Sequence, residues 1–230
     1  ERDTEITIIG NGSNLLVGDG GIRGAVVEIG KAMQEITVSG KTIKAQAGAI
    51  LGSVVSKAGQ NGLTGMEFAA GIPGSVGGAM VMNAGAYGGE MKDVAAKVKV
   101  LTPQGEMIEL GADEMEFGYR KSVVSEKGYV VLEAEFVLVP GEKEEIKRKM
   151  EELKRQRISK QPLEYPSAGS TFKRPEGYFA GKLIMDCGLS GFSVGGAQVS
   201  EKHCGFVINR GGSAADVLAV ISHVQKKVKE

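Results

Sequence analysis

Glycine constrains this chain more than any other residue type. It makes up 35 of the 230 residues, about twice the usual share of roughly 7%. The glycines concentrate in two segments, residues 10–24 and 71–90, where Gly-Ser and Gly-Gly steps recur. Only 6 prolines accompany them and no Gly-X-Y period is visible, which excludes collagen-like and low-complexity chains. The two segments therefore predict backbone that turns with positive φ or lies close against a ligand.

The residues alone leave two interpretations of these segments open. Backbone N–H groups at Gly-Ser and Gly-Gly steps can surround phosphate oxygens without any side-chain charge. Pro73 stiffens the second segment, and Asn14, Ser75 and Asn83 offer directed hydrogen bonds. A diphosphate ligand and a series of plain tight turns both fit this pattern.

Charge and composition remove several function classes. Lys plus Arg and Asp plus Glu each number 28, so the net charge is zero, and aromatic residues make up only 5%. We therefore expect neither a nucleic-acid nor a membrane partner. Cys187 and Cys204 form no C-x-x-C and His203 and His223 no metal-binding pair, so we expect no metal. With no signal peptide visible, a reduced cytoplasmic chain is the simpler account, and one disulfide is the alternative.

The hydrophobic pattern predicts an α+β fold. Strand patterns cover residues 5–9, 24–29, 94–101, 106–110 and 129–139, and a hairpin is predicted around Gly40. In the last strand Val130, Leu132, Ala134, Phe136 and Leu138 alternate with Glu133 and Glu135. Helical spacing covers residues 50–58, a charged and mostly solvated helix covers 142–160, and a capping box of Ser213 and Asp216 begins a final helix.

Three motif matches fail in their context. Gly10-x-Gly12 follows a strand but lacks the third glycine and the long helix of a dinucleotide fingerprint. Gly40-Lys41-Thr42 lacks the earlier glycine of a phosphate-binding loop and predicts a hairpin tip. Residues 191–195 match G-x-S-x-G, but no helix pattern follows them, so no nucleophile elbow is expected.

Two further clusters keep a functional and a bland interpretation. Tyr119-Arg120-Lys121-Ser122 is either part of a ligand-binding site or a strand edge with a solvated charge. Residues 168–175, Ala-Gly-Ser-Thr-Phe-Lys-Arg-Pro, place two hydroxyls beside two cations. Such a group can hold a phosphate or stabilise a developing oxyanion, and the alternative is a turn with exposed Lys and Arg.

Taken in order, the segments resemble one family closely. Six segments resemble sequence motifs of the UDP-N-acetylenolpyruvoylglucosamine reductases in their shorter second type: residues 10–17, 70–79, 82–88, 119–122, 168–175 and 195–203. The resemblance implies a bacterial cytoplasmic flavoenzyme of peptidoglycan precursor synthesis. It implies an FAD-binding domain of the vanillyl-alcohol-oxidase (PCMH-like) type in residues 1–140. A charged connecting helix in 141–163 and a smaller α+β substrate-binding domain in 164–230 would follow.

The resemblance also implies the residues of the site. FAD would bind noncovalently at Gly10, Asn11, Gly12, Ser13, Asn14, Leu15, Gly71, Ile72, Pro73, Gly74, Ser75, Gly77, Gly78, Ala79, Asn83, Gly85 and Ala86. NADPH would be the hydride donor, and the substrate would be a UDP-sugar enolpyruvyl ether, with no obligate protein partner. Arg120 would stabilise the negative charge that forms on the substrate, and Ser170 would give it a proton. Substrate would also contact Tyr165, Lys173, Arg174, Gln198 and Lys202.

The sequence departs from the family at two places. An N-terminal lobe before the first strand and a catalytic glutamate in a strand after the last helix are not found in these 230 residues. We therefore expect the residues to be part of a longer protein. A noncatalytic flavin or UDP-sugar binding module is the alternative from another class, although Arg120 and Ser170 favour the reductase. A different oxidoreductase on the same fold is disfavoured by residues 168–175 and 195–203.

Overall fold

The computed structural model describes residues 4–230. It contains two compact units. The first comprises the segment ending at Ser13 together with Gly24–Arg155, and the second comprises Asn14–Arg23 and Gln156–Glu230. Strands and helices are mixed without regular alternation, so the predicted α+β class is confirmed. The predicted domain boundaries stay a prediction, and residues 1–3 of the predicted first domain lie outside the described residues.

The first unit is built on an antiparallel sheet of five strands. Their spatial order is β3-β4-β10-β8-β9, and the remaining strands form two-stranded pairs, β1 with β2 in parallel. The strands are β1 (Ile6–Ile9), β2 (Ala25–Glu28), β3 (Ile36–Ser39), β4 (Thr42–Gln46), β5 (Leu63–Thr64), β6 (Gly85–Ala86), β7 (Gly89–Glu90), β8 (Ala95–Leu101), β9 (Met107–Gly111), β10 (Val130–Val137) and β11 (Val139–Pro140).

The helices of the first unit follow apolar spacing. They are α1 (Leu51–Gln60), α2 (Val76–Val81), α3 (Val123–Lys127) and α4 (Lys143–Lys160), of which α4 continues into the second unit from Gln156. The predicted apolar face of α1 is confirmed, since Leu51, Val54, Val55 and Ala58 are all buried. Ile146 is the buried residue of α4, which confirms that this helix is mostly solvated.

The alternation predicted for β10 is only partly right. Ala134 and Phe136 are fully buried as expected, but Val131 is buried where Leu132 was predicted to be. The pairing of β10 with β8 shifts register between Val131 and Glu133. An extra residue at such a bulge reverses the face that the residues before it present, and alternation alone does not reveal it.

The second unit is a four-stranded antiparallel sheet with two helices. The sheet order is β12-β15-β14-β13, and α6 packs on it. Its elements are β12 (Ser167–Ser170), α5 (Ala180–Asp186), β13 (Ser193–Val194), β14 (Ala197–Val199), β15 (Phe206–Asn209) and α6 (Ala214–Lys229). The predicted capping box is confirmed: the Ser213 hydroxyl accepts from Asp216 N–H, and the Asp216 carboxylate accepts from Ser213 N–H.

Two of the motifs rejected from the sequence lie in β-hairpins. Gly40 has a φ of +58° at the tip of the β3–β4 hairpin. The G-x-S-x-G match contains β13, which pairs with β14 and is followed by that strand and not by a helix.

The cysteines and His223 have structural surroundings. Cys187 and Cys204 are both free thiols, and His223 stacks on Phe192 with ring centroids 4.1 Å apart. Among the described residues, no helix has the length and apolar character needed to cross a membrane.

Candidate functional site

The first glycine-rich segment presents free backbone donors. After β1 the chain turns at Gly12, whose φ is +66°. The N–H groups of Asn11, Gly12 and Ser13 are exposed and have no hydrogen-bond partner among residues 4–230. Three successive free donors are the arrangement that holds phosphate or ribityl oxygens. The neighbours predicted with them, Asn14 and Leu15, belong to the segment assigned to the second unit.

The two glycine-rich segments meet within the first unit. The Ser13 hydroxyl donates to the Pro73 carbonyl oxygen at 3.3 Å, and a Cβ on Gly10 would overlap the Ser75 hydroxyl. Gly74, with a φ of +125°, would bring a Cβ to 3.0 Å from the Ser13 hydroxyl. Gly74 is thus favoured by its φ, and Gly10 leaves room for the Ser75 side chain where the two segments meet. Together, residues 10–13 and 73–75 fit a group rich in oxygen acceptors, as FAD is.

The beginning of α2 uses its donors within the protein. Val76 N–H donates to the Ala49 carbonyl at 2.9 Å, and Gly77 N–H donates to the Ala47 carbonyl at 2.8 Å. Gly78 N–H donates to the Ser75 hydroxyl at 3.4 Å. The expectation of free N–H groups at the Gly77-Gly78 step is therefore wrong. A Cβ on Gly77 would lie 3.1 Å from that of Ala47, so this glycine serves helix–strand packing. Flavin contacts at Gly71, Ile72, Ala79 and their neighbours stay predictions.

Arg120 lies in a tight turn with a constrained backbone. Gly118 N–H donates to the Lys121 carbonyl at 3.1 Å, and Lys121 N–H returns to the Gly118 carbonyl at 3.4 Å. Arg120 has a φ of +57°, which costs a non-glycine residue roughly 1–2 kcal/mol. Its guanidinium is half-buried and donates to the Gly85 carbonyl at 3.3 Å. This cation is thus held beside strand β6, which consists of the predicted flavin residues Gly85 and Ala86.

Asn83 lies between α2 and β6, and its side chain is turned into the protein. The residue is 1% exposed and has a φ of +40°. Its Nδ2 donates to Glu90 Oε2 and to the Gly118 carbonyl, each at 3.1 Å, and its Oδ1 accepts from Lys92 N–H at 3.0 Å. Both amide hydrogens are therefore used, although the sequence predicts a flavin contact here. That prediction cannot rest on a side-chain donor.

In the second unit, Ser170 ends strand β12 opposite Phe206. The next residue, Thr171, donates its N–H to the Gly205 carbonyl at 3.0 Å. A Cβ on Gly205 would lie 3.7 Å from the Ser170 hydroxyl and 3.0 Å from His203 Cε1, so Gly205 keeps the space between them open. His203 Nδ1 accepts from Gly205 N–H at 3.1 Å. Because Nδ1 is the acceptor, the hydrogen of a neutral ring lies on Nε2, which is then a donor.

His203 is one of two residues that sequence reasoning missed. The other is Arg210, which joins two predicted substrate residues: its guanidinium carbon lies 5.3 Å from the Tyr165 ring centroid. Its Nη1 donates to Gln198 Oε1 at 3.3 Å, and Gln198 Nε2 donates to the Gly191 carbonyl at 3.0 Å. His203 stands inside the quoted 195–203 segment and was a recognisable signal, whereas nothing local marks Arg210.

The predicted cations of the second unit have different surroundings. Lys202 donates to the Ile158 carbonyl at 2.9 Å, in the last turn of α4, and lies 3.5 Å from a Glu164 oxygen. Arg174 donates to the Tyr178 carbonyl at 3.2 Å and lies over the Phe179 ring at 3.8 Å. Lys173 is exposed. The structure therefore brings Tyr165 and Gln198 together through Arg210, while Lys202 contacts the end of α4.

Metal chemistry has no visible site in this arrangement. Within residues 4–230, no group of three or more His, Cys, Asp or Glu side chains is placed to hold an ion. In the first unit the geometry offers hydrogen bonding from backbone N–H groups and from the Arg120 guanidinium. In the second unit it offers the exposed side chain of Ser170.

Comparison with known proteins identifies the two parts of the chain. Residues 1–111 match a family model described as an FAD binding domain. Residues 161–230 match the UDP-N-acetylenolpyruvoylglucosamine reductase C-terminal domain. The flavin domain and FAD cofactor predicted from the sequence are thereby confirmed.

Whole-chain relatives agree. A UDP-N-acetylenolpyruvoylglucosamine reductase of Agathobacter rectalis is 61% identical, over 98% of this chain and 76% of its own. One of Clostridium perfringens is 59% identical, over 100% and 76%. The crystal structure of the Thermus caldophilus reductase covers 97% of this chain and 82% of its own, with 39% identity and a TM-score of 0.88. With the fold, the FAD-binding domain and the reductase C-terminal domain in one chain, this protein belongs to the UDP-N-acetylenolpyruvoylglucosamine reductase family.

Proposed function

We propose that this protein reduces the enolpyruvyl ether of a UDP-sugar, UDP-N-acetylglucosamine enolpyruvate, to UDP-N-acetylmuramate for peptidoglycan precursor synthesis. FAD, when bound, supplies hydride-transfer chemistry, with NADPH as the hydride source. The observation that carries the proposal is the constrained turn at Arg120, in a chain that has both the FAD-binding domain and the reductase C-terminal domain. Residues with strained backbone cluster at functional sites, and Arg120 is one of four non-glycine residues with a positive φ among residues 4–230.

Residues 10–13 and 73–75 are proposed to hold the cofactor. The free N–H groups of Asn11–Ser13 suit its diphosphate or ribityl oxygens, and the glycines at 10 and 74 let the two backbones close around it. Gly85 and Ala86, beside Arg120, are proposed to line the same site.

Arg120 is proposed to stabilise the negative charge that develops on the substrate's carboxylate. Its guanidinium is charged at all working pH values and its two Nη groups can bind both oxygens of a carboxylate. The contact with the Gly85 carbonyl uses one Nη2 hydrogen, which leaves further N–H donors for a ligand. A donor that is already in position stabilises the developing charge of the transition state without having to reorient during the reaction.

Ser170 is proposed to give a proton to C2 of the enolpyruvyl group. Its hydroxyl is exposed on β12 and faces the space kept open by Gly205, with His203 on the other side. A serine hydroxyl is a weak acid, so transfer depends on an oriented hydrogen-bond chain. Tyr165, Lys173, Arg174, Gln198 and Lys202 remain proposed substrate contacts. The domain division 1–140, 141–163 and 164–230, the cytoplasmic location and the absence of an obligate partner are also proposals from the sequence.

The test measures NADPH oxidation by the purified, FAD-loaded protein with and without the enolpyruvyl UDP-sugar. We expect strong stimulation by that substrate. Replacement of Ser170→Ala should leave flavin reduction by NADPH nearly unchanged and slow reoxidation by the sugar about 10²- to 10⁴-fold. Ser167→Ala is the matched control on the same strand, since Ser167 accepts only a local bond from Gly169 N–H. Flavin that binds but is never reoxidised by the sugar would contradict the reductase and favour a binding module.

A further inference from the structure

Two buried polar side chains, Asn83 and Ser122, clamp the turn that carries Arg120. Ser122 is 0% exposed, and its hydroxyl donates to the Val81 carbonyl at 2.9 Å. Asn83 donates to the Gly118 carbonyl at 3.1 Å. These bonds tie both ends of the 118–122 turn to Val81 at the end of α2 and to Asn83 just after it. The Arg120 guanidinium makes the third tie, to Gly85 at the beginning of β6.

The Ser122 hydroxyl has a bond that its position in the sequence does not predict. Ser122 is the N-cap residue of α3, where a serine hydroxyl ordinarily accepts from an N–H of the first turn. Here no such bond is formed, and the hydroxyl reaches instead to Val81, the last residue of α2. The last carbonyls of a helix lack intrahelical donors, so this bond satisfies a buried group and joins the beginning of α3 to the end of α2.

Asn83 is itself held in place by a second layer of contacts. Glu90 Oε2 accepts from Asn83 and lies 2.7 Å from Lys92 Nζ. The backbone N–H of Lys92 donates to Asn83 Oδ1. The amide is therefore fixed in one orientation, with one hydrogen aimed at Gly118. The Gly118 carbonyl also accepts from Lys121 N–H, but at 3.4 Å, so Asn83 supplies the shorter of its two hydrogen bonds and ties the Gly118 end of the turn to Asn83.

We propose that Asn83 and Ser122 are positioning residues that act through Arg120, holding its strained turn so that the guanidinium stands beside Gly85. In this role both side chains act without touching substrate or cofactor; the flavin contact that the sequence predicts at Asn83 stays a prediction. The proposal rests on the proposed function for its kinetic consequence, and on geometry alone for its structural one. The two consequences are measured separately.

The structural measurement is amide hydrogen exchange on the protein as purified. In Asn83→Gly, a change that suits the φ of +40°, and in Ser122→Ala, exchange in residues 117–122 should accelerate about tenfold. Exchange in the β8–β9 hairpin should not change. Controls are Asn61→Ala, whose amide donates to the Lys57 carbonyl at the exposed end of α1, and Ser159→Ala, whose hydroxyl donates to the Gln156 carbonyl on the exposed surface of α4. Unchanged exchange in both clamp variants would overturn the clamp.

The kinetic measurement is a double-mutant cycle with Arg120→Gly. Alone, Asn83→Gly and Ser122→Ala should slow reoxidation of reduced flavin by the enolpyruvyl UDP-sugar about 10- to 100-fold, since small displacements of a catalytic group have effects of this size. In the Arg120→Gly background the same changes should have almost no further effect. Additive losses would overturn the positioning role, because a purely structural defect would persist without Arg120. A wild-type protein that fails to use the sugar, yet shows the exchange result, would refute the proposed function and leave the clamp intact.

Discussion

Arg120 offers a prediction in which two variants, Arg120→Ala and Arg120→Gly, differ in stability but lose activity to the same extent. Its φ of +57° places an L-residue where glycine is favoured, at a cost of roughly 1–2 kcal/mol. Replacing Arg120 by Ala or by Gly removes the guanidinium equally. The two variants then differ only in backbone terms. Glycine relieves the strain, and it loses about 0.5–1 kcal/mol through the greater freedom of its unfolded chain. We therefore expect Arg120→Gly to be more stable than Arg120→Ala by about 0.5–1 kcal/mol.

Activity should not follow that difference. Both variants lose the donor proposed to stabilise the developing negative charge, so both should lose turnover by a factor of about 10²–10³. The assay pairs urea unfolding with NADPH oxidation in the presence of the enolpyruvyl UDP-sugar. Lys121→Ala and Lys121→Gly form the matched control pair, since Lys121 has no positive φ and its Ala variant should be the more stable one. An Arg120→Ala variant that is more stable than Arg120→Gly would refute the backbone argument. Equal turnover by wild type and either variant would refute the role of the charge.

Two further predictions concern carboxylates inside the units. The Asp19 carboxylate accepts from Ala214 N–H at 2.7 Å and from Ala215 N–H at 3.0 Å at the beginning of α6. Asp19→Ala should therefore lower the free energy of unfolding, measured in urea, by about 1–2 kcal/mol. A loss no larger than in the exposed control Asp186→Ala would contradict the capping role of Asp19. Burial raises the pKa of Glu67, but bonds from the Thr64 hydroxyl and Gly65 N–H, with Lys149 nearby, lower the pKa below its usual 4.5 overall. The stabilisation from ionised Glu67 is therefore complete above pH 4.5 and is lost as the pH falls through the folded-state pKa. Glu67→Gln should lower the free energy of unfolding by about 1–3 kcal/mol at pH 7 and change it little in acid. A difference in unfolding free energy that does not depend on pH would refute the lowered pKa of Glu67.

Local patterns predicted the local elements well. The helix at Leu51–Gln60, the hairpin tip at Gly40 and the capping box of Ser213 and Asp216 each depend on residues within a few positions of one another. Spacing and turn chemistry carry that information directly. The β10 face was the local failure, because the bulge near Val131 depends on the neighbouring strand.

The site depended on contacts that no local pattern reveals. Asn83 and Gly118 are 35 positions apart, and Asp19 and Ala214 are 195 apart. A sequence shows that an asparagine is available for directed hydrogen bonds, but only the fold decides which group receives them. The motifs drew attention to residues 10–17, 82–88 and 119–122 through resemblance to a family. Only the structure shows that Asn83 faces the protein and that the N–H groups of Asn11–Ser13 have no partner among residues 4–230.

The glycines themselves show why composition overestimates ligand contact. Gly12 has open space around a would-be Cβ and free donors beside it, which suits a ligand. Gly77 lies against Ala47 and donates its N–H within the protein, so its small size serves packing. Arg120 reverses the relation, since it has the backbone conformation of a glycine and keeps a side chain. A strained residue held by buried hydrogen bonds is therefore a stronger indication of function in this protein than any of its glycines, and the clamp of Asn83 and Ser122 is the means by which the strain is maintained.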